Sequence, residues 1–160
     1  MLFRSAHGFI GQVFGGYAQV FHDAGNGLRR HSWQGDQAIA SIMEHLGVAT
    51  EYLADETVRL SQTAVRQNFS QDFTDCPDLA QTVAVVAAAL GVPATFTGLE
   101  SLRIKETDRI AALQTELAKF GASLLDVGEG RFQLSSEAFA VTGQTVATYH
   151  DHRIDRKSVV

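Results

Sequence analysis

The chain has 160 residues, 45% of them hydrophobic, and a formal net charge of −5. That is enough apolar material for a domain with a core, and the acidic balance argues against a nucleic-acid-binding surface. A single cysteine, Cys76, excludes an intramolecular disulfide and fits a reducing compartment such as the cytoplasm, and no apolar run reaches the roughly 20 residues that span a bilayer.

In chain order, the ends come first. Met1–Ser5 is what GTG CTC TTC CGA TCT encodes with GTG read as a start, and Asp155–Val160 is what GAT CGG AAG AGC GTC GTG encodes. Both strings look like sequencing adaptors, so residues 1–5 and 155–160 are expected to be foreign and are set aside from the fold. On that reading the natural protein is longer on both sides. No cationic stretch followed by an apolar one opens the chain, so no secretory leader is expected. Residues 6–26 are rich in glycine and aromatics without a period and receive no assignment; their glycines form no dinucleotide fingerprint.

Asp36–Leu46 reads as a helix with Ile39, Ile42, Met43 and Leu46 on one face. Gly47 ends it, as a C-terminal cap needing positive φ. Short strands follow at 48–53 and 57–61. A second helix is predicted over Asp78–Leu90, buried because Val83–Leu90 is continuously apolar, and stopped by Gly91 and Pro93. A strand at Ala94–Thr97 leads to a third helix, 105–120, whose Ile110, Leu113, Leu117 and Phe120 form a stripe. Strands at 123–127 and 131–135 are joined by Gly128-Glu129-Gly130, a hairpin turn. "VRLS" at 58–61 and "FQLS" at 132–135 occupy the same place in a helix–strand–strand pattern recurring after about 70 residues. The order predicts an α/β (α+β) fold of repeated helix–strand units with mixed sheets.

The run Arg103-Ile104-Lys105-Glu106-Thr107-Asp108-Arg109 carries the most chemistry. Lys105 and Arg109 share one face if the helix has begun at Lys105, and like charges there repel unless an anion sits between them. A helix start also offers unpaired N–H groups and the positive end of the macrodipole, so the run reads as a phosphate or carboxylate site. Glu106, in the same turn, can move a proton. For a generic charged run, a solvated, salt-bridged helix start is the commoner explanation.

This run is not generic. "GLRRHSWQGD" (27–36), "DCPDLAQTVAVVAAALG" (75–91), "GLESLRIKETDRIAALQTEL" (98–117) and "TYHDHR" (148–153) occur in order and resemble consecutive segments of the EPSP synthase (3-phosphoshikimate 1-carboxyvinyltransferase) family. The resemblance covers residues 27–154. "KETDR" with "DHR" about 40 residues on is its most specific part, because the sister enzymes acting on a UDP-aminosugar share the fold but not that pair. It implies two domains, each of three repeated α/β units, of which 27–154 would be part of one. It also implies a cytoplasmic, monomeric parent enzyme of aromatic amino-acid biosynthesis, with no metal and no cofactor. Its partners would be shikimate 3-phosphate and phosphoenolpyruvate.

The resemblance assigns roles residue by residue. Asp78 matches the carboxylate that takes the 5-hydroxyl proton; the plainer role for an Asp after Pro77 is a helix cap. Glu106 matches the proton donor to the methylene, against a plain ion pair with Arg109. Lys105 matches a lysine at the shikimate hydroxyl and the reacting carboxylate. Arg109 and Arg153 match the arginines that hold phosphoenolpyruvate, a task for which guanidinium forks are suited; the plainer role for each is a solvated charge. His152 is expected as an auxiliary polarising group. Ser101 stands where some members have an asparagine on the shikimate phosphate. Cys76 reads as a packed side chain, and His31 and Trp33 as structural residues of a loop. Asp78, Lys105, Glu106, Arg109 and Arg153 are expected on one cleft face, with the cations open to solvent and the isolated chain inactive. The rival from another class is a non-catalytic anion-binding or interaction module of the same fold, which has no need of two carboxylates beside its anion.

Overall fold

The computed structural model describes residues 32–52, 58–64, 68–136, 139–140, 143–151 and 154. The readings for residues 1–26, His31 and 155–160 lie outside them, as do those for His152 and Arg153. The chain divides into two compact units, Met1–Arg66 with Val160, and Gln67–Val159.

The first unit holds helix α1 (Ser32–His45) and strands β1 (Val48–Tyr52) and β2 (Val58–Gln62). The helix starts four residues before the expected Asp36, so Trp33 lies in a helix and not in a loop. Gly35 is the reason the earlier start is hard to see, since glycine inside a helix costs roughly 1 kcal/mol relative to alanine. The predicted stripe is the buried one: Ile39, Ile42, Met43 and Leu46 are each less than 5% exposed. Gly47 turns the chain at φ +82° into β1. β1 and β2 then pair antiparallel, from Val48 opposite Gln62 to Tyr52 opposite Val58.

The second unit repeats that helix–hairpin pattern and adds a crossover before it. Strand β3 (Phe69–Asp72) is followed by a 3-10 turn (Pro77–Leu79) and helix α2 (Ala80–Ala89). Strand β4 (Ala94–Thr97), a second 3-10 turn (Glu100–Ile104), helix α3 (Arg109–Ala118) and strands β5 (Ser123–Gly128) and β6 (Arg131–Ser135) complete it. The sheet order is β3-β4-β6-β5. β3 and β4 run parallel, as a crossover through α2 requires, and the other two pairings are antiparallel. "VRLS" and "FQLS" do fall in corresponding strands: Leu60 faces Thr50 across the first hairpin and Leu134 faces Leu124 across the second. β3 carries too short an alternation to be read from its residues alone.

Helix α2 has eight of its ten residues buried. It packs on β4, β6 and α3, which is what a helix apolar all round must do. Phe96 of β4 meets Phe69 and Phe73 edge-to-face at centroid distances of 6.2 and 5.4 Å, and Phe132 and Leu134 of β6 complete that layer. Gly98 takes φ +72° just after β4, and a Cβ there would collide with the backbone of Thr74 and the carboxylate of Asp72. That close approach is why glycine stands at this corner. Asp72 accepts from the Thr74 N–H at 3.0 Å and from its hydroxyl at 2.7 Å, closing the turn that leads to Asp78.

The charged run does not head a helix. Glu100–Ile104 is a 3-10 turn, Lys105 is extended at ψ −160°, and α3 begins only at Arg109. Asp108 decides the start: its carboxylate accepts from the N–H groups of Ile110 and Ala111, both at 3.0 Å. An aspartate at the N-cap satisfies donors that a helix started at Lys105 would have used internally. Lys105 and Arg109 therefore do not share a helical face. Of the expected stripe, Ile110, Leu113 and Leu117 are buried, while the half-buried Phe120 stacks on Phe139 at 5.9 Å.

Candidate active site

Arg109, the first residue of α3, is the centre of the site. Its side chain is 4% exposed, against the expectation of an open cation. Nε and Nη2 donate to the two carboxylate oxygens of Asp151 at 2.8 and 3.1 Å, and Nη1 donates to Asp78 at 2.8 Å. Asp151 is 0% exposed and Asp78 34% exposed, so the cation is closed on one side and carries a solvent-reachable carboxylate on the other. Burial works against the charge of Arg109. The Asp151 hydrogen bonds outweigh it, helped by the charges of Asp151, Asp78 and Glu106, and hold the guanidinium above its usual pKa.

Asp78 reaches this position from the 3-10 turn. Pro77 starts that turn, and the N-cap of α2 is Leu79 with no side-chain cap bond. The carboxylate of Asp78 reaches Arg109 from the first turn of that segment. Glu106 and Lys105 lie in the bend before α3 and are exposed, with Glu106 near enough for its charge to act on Arg109. Ser101 is half-buried in the second 3-10 turn. Arg103 is spoken for elsewhere: it bonds Asp126 at 3.0 Å, pairs with Asp108 at 3.5 Å and lies over the Phe132 ring at 5.6 Å. Cys76 is half-buried, with its thiol pushed up by burial and by Asp75 and Asp72. Such a thiol is protonated and packed rather than nucleophilic.

Of the predicted site residues, Asp78, Glu106 and Arg109 come together electrostatically, and Lys105 adjoins Glu106 in the chain. Two carboxylates to which the sequence assigned no role, Asp151 and Glu116, build the site's surroundings. Asp151 arrives on the 143–151 strap, where Tyr149 and His150 both take positive φ, 55° and 54°. Left-handed backbone at two non-glycine residues in a row costs of order 1–3 kcal/mol each and persists only where surroundings impose it. Glu116 supplies part of that imposition from α3. It accepts from Tyr149 Oη at 2.8 Å, from Ala147 N–H at 3.1 Å, and from Lys119 Nζ with both oxygens at 2.8 and 2.7 Å. One signal for Glu116 was available: it falls on the buried face of α3, between Leu113 and Leu117, where a charge needs partners.

The Glu116 cluster makes a pH prediction. Burial pushes this carboxyl up, but the Lys119, Tyr149 and Ala147 hydrogen bonds and the Lys119 charge outweigh it and hold the pKa below the ordinary 4.5. A depressed carboxyl contributes stability that is complete above the unfolded-state pKa and is lost as pH falls through the folded one. The Tyr149 phenol is pushed up by the same hydrogen bond. Thermal melts of the chain should therefore hold steady near neutrality and fall below about pH 4.5. Glu116→Gln should flatten part of that acid limb; an unchanged limb would count against the cluster.

Among the described residues, no group of three or more His, Cys, Asp or Glu is placed to hold a metal ion, and no helix is long and apolar enough to cross a membrane. The family model described as EPSP synthase (3-phosphoshikimate 1-carboxyvinyltransferase) matches residues 25–158. A 3-phosphoshikimate 1-carboxyvinyltransferase of Bacteroides fragilis is 48% identical over 132 residues, covering 80% of this chain and 32% of that protein. One from Idiomarina loihiensis is 37% identical over 129 residues (80% and 29%). Another, from a Janthinobacterium species, is 34% identical over 144 residues (90% and 31%). The chain spans about a third of the length of these curated relatives.

Proposed function

This chain belongs to the EPSP synthase family, and from that premise we propose that it serves as one part of an enzyme of the relatives' length. That enzyme transfers the enolpyruvyl group of phosphoenolpyruvate to shikimate 3-phosphate, giving 5-enolpyruvylshikimate 3-phosphate and phosphate. The transfer needs a base for the attacking hydroxyl, an acid for the methylene, and cations for the anionic groups of both substrates. Asp78 is the base and Glu106 the acid. Lys105, Arg109 and Arg153 hold substrate, with Ser101 on the shikimate phosphate and His152 as a polarising neighbour.

The observation that carries this reading is the contact of Asp78 with Arg109, whose charge also feels Glu106. Acid and base thus flank one fixed cation, an arrangement suited to two proton transfers on one small substrate. Among the described residues, Asp151 and Asp78 take three of the five N–H donors of Arg109. Among the described residues Lys105 and Arg109 stand against three carboxylates, Asp78, Glu106 and Asp151, so two phosphorylated substrates need further cations, Arg153 of this chain among them.

The test is phosphate release from phosphoenolpyruvate in the presence of shikimate 3-phosphate. The isolated chain should release none. A chimera in which residues 25–158 replace the matching stretch of the Bacteroides fragilis relative should release phosphate dependent on both substrates. A folded chimera with no such release would refute the reading, and so would turnover by the isolated chain.

A further inference from the structure

We propose that Glu116 is a positioning residue of this site: it anchors the strap 145–149 on α3 and thereby sets Asp151 against the guanidinium of Arg109. The inference rests on the reading of Arg109 as a substrate-holding group, and it concerns a residue two helical turns away from it.

Arg109 and Glu116 are seven residues apart on α3, so they lie nearly in line on the same face, about 10 Å apart along the axis. The strap runs past both in the opposite direction. Its residues 147 and 149 meet Glu116, and residue 151 meets Arg109. The helix thus offers an anion and then a cation to one passing segment, which answers with a phenol and an N–H for the first and a carboxylate for the second. Between these anchors the strap is irregular, with left-handed Tyr149 and His150 and a turn bond from Asp151 N–H to Thr148 C=O at 3.0 Å. Local backbone preference would not hold that conformation, so the anchor must.

Glu116 is more than a helix-surface partner of Lys119. It is 8% exposed, and the four hydrogen bonds it accepts use all the acceptor sites a carboxylate has. Lys119 adds a bond of its own to the strap, to Thr145 C=O at 3.0 Å. A negative charge near the end of a helix is unfavourable by itself, so the strap and Lys119 are what keep it there. The pairing is reciprocal: without the strap Glu116 is a misplaced buried charge, and without Glu116 the strap loses the clamp that precedes Asp151.

The experiment is site-resolved hydrogen exchange by NMR on the 160-residue chain, reading the Arg109 Nε–H, which Asp151 shields. In Glu116→Gln the amide keeps the size but turns N–H groups toward the Ala147 and Lys119 donors. Exchange of the Arg109 Nε–H and of the Asp151 amide should then quicken tenfold or more, with α3 backbone amides changing less than twofold. Tyr149→Phe, which removes one donor and leaves the helix untouched, should give the same pattern at smaller size and carries the test if Glu116→Gln does not fold. Arg109 Nε–H exchange within twofold of the parent in the folded variants, or acceleration spread evenly along α3, would overturn the proposal. The readout needs no substrate, so it is decided independently of the phosphate-release assay on which the transfer reading stands.

Discussion

Replacing Asp151 by asparagine should remove a large share of the stability of the second unit. The isostere leaves Arg109 buried while turning an amide N–H₂ toward its donors, and it discards the charge that outweighs the cost of burying the guanidinium. It also weakens the Ile154 N–H bond to the same carboxylate at 3.3 Å. Breaking a buried, hydrogen-bonded ion pair from one side costs about 3–5 kcal/mol, set against the roughly 5–15 kcal/mol by which whole domains are stable. The Arg59–Glu51 pair makes the contrast. It is as short, at 2.9 Å, but its side chains are 62% and 58% exposed, so Glu51→Gln should cost under about 1 kcal/mol. Urea melts of the two variants should separate them, with the Asp151→Asn midpoint lower by about 2 M or no folded baseline at all. A loss under 1 kcal/mol for Asp151→Asn would show that the pair does not hold the site together.

Glu106→Gln in the active chimera should lower turnover by about 10²–10⁴-fold, the usual worth of a positioned acid or base. KM for both substrates should stay within a few-fold. The amide keeps size and polarity, and at an exposed position it disturbs no packing, yet it cannot deliver a proton in the transition state. Steady-state kinetics with saturating shikimate 3-phosphate measures this directly, and unchanged turnover would remove Glu106 from the proton-donor role. Glu106 suits such a test better than Arg109. Arg109→Lys would lose the fork to substrate, but it would also lose the fork to Asp151, so a fall in binding could not be told from loosening of the site.

The amino-acid sequence determined by itself the presence of the three helices, the strands that follow two of them, the second hairpin and the repeat, because these rest on local signals. The Ile39–Leu46 stripe, the all-apolar Val83–Leu90 run and the Gly128-Glu129-Gly130 turn act over a few residues. It also carried the family, through "KETDR" and "DHR". What it could not reveal is where the charges of that run go. Periodicity extends α3 back to Lys105, but Asp108 caps it later by bonding Ile110 and Ala111, and that choice separates Lys105 from Arg109. β3 became a strand because β4 lies beside it, a pairing across more than 20 residues that no local pattern encodes. The fate of Arg109 was decided at longer range still. A basic residue before an apolar stripe reads as solvated until Asp151, 42 positions on, is brought against it. Glu116 was legible only as a charge on an apolar face. Its meaning came from a strap whose shape follows from tertiary contacts alone, since two successive left-handed residues are stable only where distant groups hold them.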